Sequence, residues 1–276
     1  MILVTGASGK LGRAILSTLS QRDVVATGTS RAARGDLRTL DFDDPESISL
    51  RGVDTLVLVS AGEAEDDVVV ARHDAVITAA ERDGVAHVVY TSLTSAGDHL
   101  GFALAHRWTE RRLQQSTLSW TILRNGLYAD LFGSLLGWSG NRLTSAFGDG
   151  ALAAVSREDL AEAAAVVAEA PHRHEGRTYD LVGTPVTAAD VAEHLGVPLV
   201  DVSLDHRRQE LDRAGLKPFQ PAMLMSIHTN VRHGFLGSPG PDLGHLLGRE
   251  PGDTLADVAA ATGAPRASTP SDATAR

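Results

Sequence analysis

A doubly wound α/β fold, with a parallel sheet and a smaller, mostly helical C-terminal region covering one end, is what these 276 residues predict. Three observations carry that reading. Strand-like and helix-like runs alternate through the first half, a glycine-rich turn joins the first strand to the first helix, and the alternation loosens after Asn125. Such alternation places helices on both faces of a parallel sheet, with the ligand crevice at the carboxyl ends of the strands.

The elements follow in order. "ILVT" is a short apolar strand, and a helix runs from about Leu11 to Leu19. "VVATG" reads as the second strand and "LRTLDF" as a short third. "DDPESI" is expected to open a helix with Pro45 in its first turn. "DTLVLVS" is nearly all apolar, as a strand covered on both faces must be. A helix from about Asp67 to Arg82 leads to the fifth strand, "VAHVVYTS", then the helix "FALAHRWTERRLQQ" and the sixth strand, "SWTILRN". The stretch "GLYADLFGSLLGWSGNRLTSAFGDG" reads as a long loop-like segment, of a length that covers sites. A helix from about Arg157, the strand "RTYDLV", a helix from Ala188, the strand "PLVDVS" and further helices come next. The polar tail "APRASTPSDATAR" is expected to be disordered.

Composition narrows the function classes. The net charge of −10 argues against nucleic acid, whose phosphates need a basic face. The sequence contains no cysteine, which excludes disulfides, thiolate catalysis and cysteine metal sites. The most apolar run, "LAEAAAVVAEA", carries charges and is too short to span a bilayer. No leader is expected ahead of the first strand, and a cytoplasmic protein is the expectation. The pairs His172/His174 and His228/His233 lack zinc-like spacing, so no metal is expected. No G-x-S-x-G elbow supports a hydrolase of that kind. The runs "TERRLQQ" and "DHRRQELDR" read as solvated helix faces with intrahelical ion pairs.

Gly6, Gly9 and Gly12 form G-x-x-G-x-x-G between a strand and a helix, in "TGASGKLG". The glycines allow a tight turn, close backbone approach to phosphate and close helix–strand packing. The helix start then offers unpaired N–H groups and a positive dipole end to an anion. In this context the motif reads as Rossmann-type dinucleotide binding. An acid at the end of the second strand would favour NAD. This chain has "TSRAARG" instead, and Arg31 and Arg34 suit a ribose 2′-phosphate, with Lys10 adding charge. NADP(H) is therefore the expected cofactor. The expected division is 1–125 as NADP(H)-binding core, 126–262 as substrate-covering region with some elements returning to the core, and 263–276 as tail.

These features resemble the short-chain dehydrogenase/reductase superfamily, whose usual catalytic set is a Ser after the fifth strand and Y-x-x-x-K on the next helix. Ser92 stands where that serine would be, but the Tyr and Lys positions read Phe102 and His106. The chain's three tyrosines, Tyr90, Tyr128 and Tyr179, are followed four places on by Thr94, Phe132 and Gly183. Its two lysines, Lys10 and Lys217, lie elsewhere. The usual triad is absent.

That departure is itself a resemblance. "VTGASGKLGR", "DFDDPESI", "YTSL", "HRWTE", "TILRNGLY", "SREDLAEAAA", "HEGRTYDLVG" and "TLADVA" together look like the atypical NmrA-like branch. Within it, the nearest likeness is to the NADPH:quinone reductases and triphenylmethane dye reductases. The resemblance implies that NADPH is held by the turn Gly6, Ala7, Ser8, Gly9, Lys10, Leu11 and Gly12, and by Arg31. It also implies contacts from Ser60, Ala61 and Gly62 after the fourth strand, and from the segment Arg124, Asn125, Gly126 to Tyr128 after the sixth. Asp41 and Phe42 match positions that border the adenine. Leu127 stands where a tryptophan is common, and Ala151 where relatives often have a basic residue.

Chemistry favours a quinone-like acceptor. Hydride addition to an isolated ketone builds a basic alkoxide, so a positioned acid counts heavily. Addition to a quinone gives a stabilised phenolate, which solvent or a weak donor protonates later. The enzyme then mainly has to place the acceptor against the nicotinamide and exclude water. His106, Tyr128 and Ser92 are the candidate catalytic residues: His106 as donor of a proton or of a ribose hydrogen bond, or else an exposed polar residue; Tyr128 as a residue lining the substrate pocket; Ser92 to orient the nicotinamide amide or a substrate oxygen. The expected partner is a small-molecule acceptor, with a homodimer as the assembly considered and no membrane. The alternative is a non-catalytic NADP(H) sensor acting through a protein partner.

Overall fold

The apolar runs become strands buried on both faces. The computed structural model describes residues 1–32, 35, 37–60 and 64–263. Strand β1 (Ile2–Val4) leads to helix α1 (Lys10–Gln21), β2 (Ala26–Ser30), β3 (Arg38–Thr39), β4 (Thr55–Val59), α2 (Asp66–Asp83), β5 (His87–Leu93), α3 (Ala103–Gln114) and β6 (Ser119–Asn125). Then come α4 (Ala129–Ser134), β7 (Gly137–Ser139), β8 (Arg142–Ser145), β9 (Ala151–Ala153), α5 (Arg157–Glu169) and β10 (Arg177–Leu181). The chain continues through β11 (Pro185–Thr187), α6 (Ala188–Leu195), β12 (Leu199–Asp201), α7 (Leu204–Arg213), α8 (Gln220–Arg232), α9 (Asp242–Leu247) and α10 (Leu255–Ala261).

The central sheet has seven strands in the order β10-β6-β5-β4-β1-β2-β3, with every adjacent pair parallel. The strand order reverses between β1 and β4, which opens a crevice at the carboxyl ends. Side chains alternate in direction along each strand. Val4, Val57, Val89 and Leu123 pack against Leu11 and Ile15 of α1 and Leu160 and Ala164 of α5. Leu3, Leu56, Val88 and Tyr90 pack against Ile77 and Ala80 of α2 and Leu113 of α3 on the other face. Burying each large side chain stabilises the fold by roughly 1.5–3 kcal/mol.

A third cluster builds the cover: Leu127, Phe132 and Phe147 meet Val191 of α6, Ile227 of α8 and Val258 of α10. Beyond residue 126, α5 and β10 lie on the central layers, while β7, β8, β9, β11 and β12 form two small sheets apart from it. Residues 264–276 lie outside the described residues. Among the described residues no helix is long and apolar enough to cross a membrane.

Two expectations need correction. "DDPESI" makes only one 3-10 turn, Pro45–Ser47, because Ile48 and Leu50 then turn inward and are buried. The segment after Asn125 is not loop-like but folds into α4, the β7–β8 hairpin and β9. Gly133 serves close packing there: an added Cβ would lie 2.1 Å from the Val258 carbonyl oxygen, where α4 meets α10.

Candidate cofactor and acceptor site

The glycine turn sits at the carboxyl end of β1. Gly6 has φ +64°, which favours glycine, and its carbonyl accepts from Gly9 N at 2.9 Å. Gly9 is the extended N-cap of α1, and its carbonyl takes the first helical bond, from Arg13 N at 3.2 Å. The N–H groups of Lys10, Leu11 and Gly12 therefore open the helix with no carbonyl behind them. A Cβ on Gly12 would stand 2.4 Å from Gly6 O, so the helix start reaches this close only with glycine there. Ala7 N donates to Thr29 O at 3.0 Å and ties the turn to β2, while Ser8, Gly9 and Lys10 are exposed. The Lys10 ammonium is drawn to Asp130 of α4 at 2.8 Å, so its charge is shared with the cover.

At the ends of β2 and β3, Arg31 is 70% exposed and only loosely held, 3.7 Å from Asp41 and 3.8 Å from Asp43. Asp43 is instead gripped by Arg72, at 2.6 and 2.8 Å, which holds its carboxyl below the usual range. The Arg31 guanidinium is thus available to an anion. Asp41 accepts from Asp43 N at 3.0 Å, and Phe42 packs at the edge of the core beneath β3. Arg34 lies outside the described residues.

A cleft of about 350 Å³ opens where β4, β5 and β6 end. Apolar side chains face it from the start of α3, from α4 and from α8, among them Phe102 just before α3, Leu131 and Ile227. Its polar edge holds Ser60, Ser92, His106, Asn125, Tyr128 and Arg157. Ala61 and Gly62 lie outside the described residues. The cleft joins the glycine turn through Val59, which lines it and also stands 3.7 Å from where a Gly6 Cβ would be. A wider groove, about 890 Å³, runs between α1, α4, α5 and α10 with carboxylates and guanidiniums intermixed, and holds none of the strand-end residues. Of the two, the smaller cleft is the one that lies at the carboxyl ends of the strands.

The expected site residues divide. Asn125 is buried at the cleft, and its Oδ1 has no partner. Gly126 lines the cleft, but Arg124 does not. Strand alternation points Arg124 the other way, where it makes a two-pronged pair with Glu110 at 2.9 and 2.6 Å. Ser92 Oγ donates to Glu110 Oε1 at 2.6 Å, so its proton is committed inward. What its oxygen offers to the cleft is acceptor capacity rather than a proton. Tyr128 lines the cleft with the Arg157 guanidinium 4.0 Å above its ring, and burial raises its pKa. Leu127 is buried in the cleft wall; Ala151 lies on β9, away from it.

His106 is not an exposed polar residue. It is half-buried, lines the cleft, and its Nδ1 lies 2.9 Å from Tyr90 Oη. Burial and the nearby Arg107 pull its pKa down to about 4, with Glu110 opposing. Below it, His73 Nδ1 meets Thr109 Oγ1 at 2.9 Å, and its Nε2 lies 3.4 Å from Ser60 Oγ.

Glu110 is the hub of this floor. It is buried and binds Ser92, Arg124 and, at 2.8 Å, Arg107. Arg107 in turn donates to Leu93 O at 2.9 Å and Thr94 O at 2.8 Å, clamping the end of β5. "TERRLQQ" is thus no simple solvated face: Arg112 also crosses to Asp74 and Glu81 of α2. In "DHRRQELDR" the intrahelical pairs Arg207–Glu210 and Arg208–Asp212 do form.

Sequence reasoning missed Tyr90, His73, Arg107, Glu110 and Arg157. The Y-x-x-x-K spacing speaks only to a lysine four places beyond Tyr90, whereas the partner of Tyr90 lies sixteen residues away. Among the described residues no group of three or more His, Asp or Glu is placed to hold a metal ion. His228 is instead fully buried and stacks on Phe147 at 4.5 Å.

Comparison with known proteins bears on this arrangement. The pattern of a family described as NAD(P)H-binding matches residues 6–171. Quinone oxidoreductase 2 of Escherichia coli (strain K12) is 32% identical, over 93% of this chain and 96% of its own. A solved structure of an NADPH-dependent quinone oxidoreductase from Escherichia coli complexed with NADPH superposes with a TM-score of 0.80 at 30% identity, covering 94% of this chain and 99% of that one. The triphenylmethane reductase of Citrobacter sp. complexed with NADP(H) gives 0.81 at 26% identity, covering 95% and 100%. The chain therefore belongs to the NAD(P)H-binding, NmrA-like family.

Proposed function

We propose that the protein is an NADPH-dependent oxidoreductase that transfers a hydride to a quinone-like, conjugated planar acceptor. The observation that carries this reading is the makeup of the strand-end cleft. Its walls are largely apolar, it adjoins the glycine turn, and Phe102 and His106 stand where a carbonyl reductase of this superfamily would need Tyr and Lys.

The residues fit the cofactor. The Gly6–Gly12 turn, including Ala7, Ser8 and Leu11, offers backbone N–H groups and a dipole end to a pyrophosphate. Arg31 suits a 2′-phosphate, and Asp41 and Phe42 border the space for an adenine. Asn125 Oδ1, buried without a partner, would be satisfied by a carboxamide N–H. Ser60, Ser92 and Gly126 shape the same end. Bound there, the reduced nicotinamide supplies the hydride. The chain's own part is to align the acceptor, keep water out with α8 and α4, and leave the product anion to be protonated late. The activities named for the relatives support the same class of acceptor.

The test follows NADPH oxidation at fixed protein with a panel of quinones and triphenylmethane dyes, beside affinities for NADPH and NADP+. Saturable turnover supports the reductase. Tight cofactor binding without turnover, favouring the oxidised form, supports the sensor instead.

A further inference from the structure

We infer that His106 serves as a neutral hydrogen-bond donor to the acceptor's developing oxyanion, and that Tyr90 is the positioning residue that keeps the proton on its free ring nitrogen. The inference rests on the quinone-like reading above and names the group that stabilises its charge.

Tyr90 is fully buried on β5, and that burial pushes its pKa upward, so its phenol keeps its proton. That proton needs an acceptor. The Ser60 and Thr109 hydroxyls lie near the phenol oxygen, but among the described residues its one direct hydrogen bond is with a histidine ring. That partner is His106 Nδ1, 2.9 Å away, and a phenol that keeps its proton donates it there. An imidazole that accepts at Nδ1 carries its proton on Nε2. Nε2 has no partner among the described residues, and the ring lines the cleft beside Asn125 and Tyr128. The residue thus presents one N–H, fixed in direction by a buried phenol behind it.

Its electrostatic setting keeps it neutral. Arg107 and Glu110 flank it on α3, His73 approaches from α2, and Tyr90 and Ser92 face it from β5. Arg157 of α5 lines the same cleft. Desolvation dominates and leaves the pKa at about 4. A neutral imidazole stabilises an oxyanion by hydrogen bonding, whereas giving up its proton would leave an imidazolate. The balance is therefore simple. The hydride from the reduced nicotinamide brings one electron pair to the quinone, negative charge gathers on a quinoid oxygen, and the His106 N–H bond stays intact. Water supplies the single proton that completes the hydroquinone. Ser92 cannot take this role, since its proton is held by Glu110.

The experiment has two arms. In the 15N-labelled full chain without acceptor, the His106 signals at pH 7 are expected to report the Nε2–H tautomer, and Tyr90→Phe should mix the two tautomers. An Nδ1–H tautomer or an imidazolium in the unaltered protein overturns the inference, whatever the protein reduces. In the second arm, His106→Asn, His106→Gln and Tyr128→Phe are assayed over a range of NADPH up to saturation with an electron-poor quinone and an alkyl-rich one. His106→Asn should lower kcat for the alkyl-rich quinone on the order of 100-fold, as loss of one oxyanion donor does, and lower it less for the electron-poor one. KM for NADPH should not move, and His106→Gln, whose amide N–H reaches the same place, should restore part of the rate. Equal losses with both quinones, no loss, or a loss that follows Tyr128→Phe instead overturns it. If the unaltered protein reduces no quinone, the functional reading fails, and the tautomer arm distinguishes that from failure of this inference.

Discussion

Around the turn from Gly6 to Gly12 the binding surface is backbone: N–H groups, one positive φ, and a helix start that reaches its place only because Gly12 has no Cβ. Across the crevice the surface is side chain, delivered by β4, β5, β6, α3, α4, α5 and α8. The first region has almost no tolerance for added atoms and is built from seven consecutive residues. The second depends on a buried polar floor, with Glu110 holding Ser92, Arg107 and Arg124 together. A phosphate grip can thus be written into a few consecutive residues, whereas an acceptor site is assembled from a network.

The sharpest way to break that contrast is Glu110→Ala. Removing the buried carboxylate leaves Arg124 without its partner and Arg107 with only Asp98, and should cost about 3 kcal/mol in urea unfolding. NADPH affinity should change much less, because the turn lies outside the network. Gly12→Ala should do the reverse. A Cβ 2.4 Å from Gly6 O forces the turn apart, and NADPH binding followed by nicotinamide fluorescence should weaken on the order of 100-fold, with the circular dichroism spectrum retained. Arg31→Ala is the next step down. Losing a charged partner of the 2′-phosphate should weaken NADPH roughly 10-fold and leave NADH unchanged; equal losses would remove the case for that phosphate.

The smallest effect is a pH dependence seated under the cleft and in the cover. Burial lowers His73 and His228 to about 3 and His106 to about 4, from 6.5. Below pH 6.5 the unfolded chain takes up protons that the folded one refuses, so stability falls as pH drops from 6.5 toward 4. His228 packs on Phe147 with both ring nitrogens unpartnered. His228→Leu should reduce the loss of stability between pH 7 and pH 6 by roughly 0.7 kcal/mol, measured by denaturant titration at each pH.

The same contrast explains what could be read from the sequence. The turn, the strand runs and the sheet class were legible, because each is a local pattern: glycines at fixed spacing, apolar runs, alternation. Ser119–Asn125 emerges as a strand with the bounds the sequence suggests. The contiguous motif "LRNG" does not reveal the alternation that turns Arg124 toward Glu110 and Asn125 toward the cleft, on opposite faces of β6. The segment after Asn125 was misread because its glycines look like loop residues when Gly133 is a packing site against α10. Tyr90, His106 and Glu110 come together only through the pairing of β5 with β6 and the return of α3 over them, a juxtaposition that no local spacing encodes.

The most direct measurement of the central claim is NADPH oxidation by the full chain with a quinone, at constant protein and saturating cofactor. Saturable, protein-dependent formation of the hydroquinone, with NADPH strongly preferred over NADH and no ionisation step near pH 6.5 in kcat/KM, is the expected result. Tight binding of NADP+ with no turnover of any quinone or dye would contradict it.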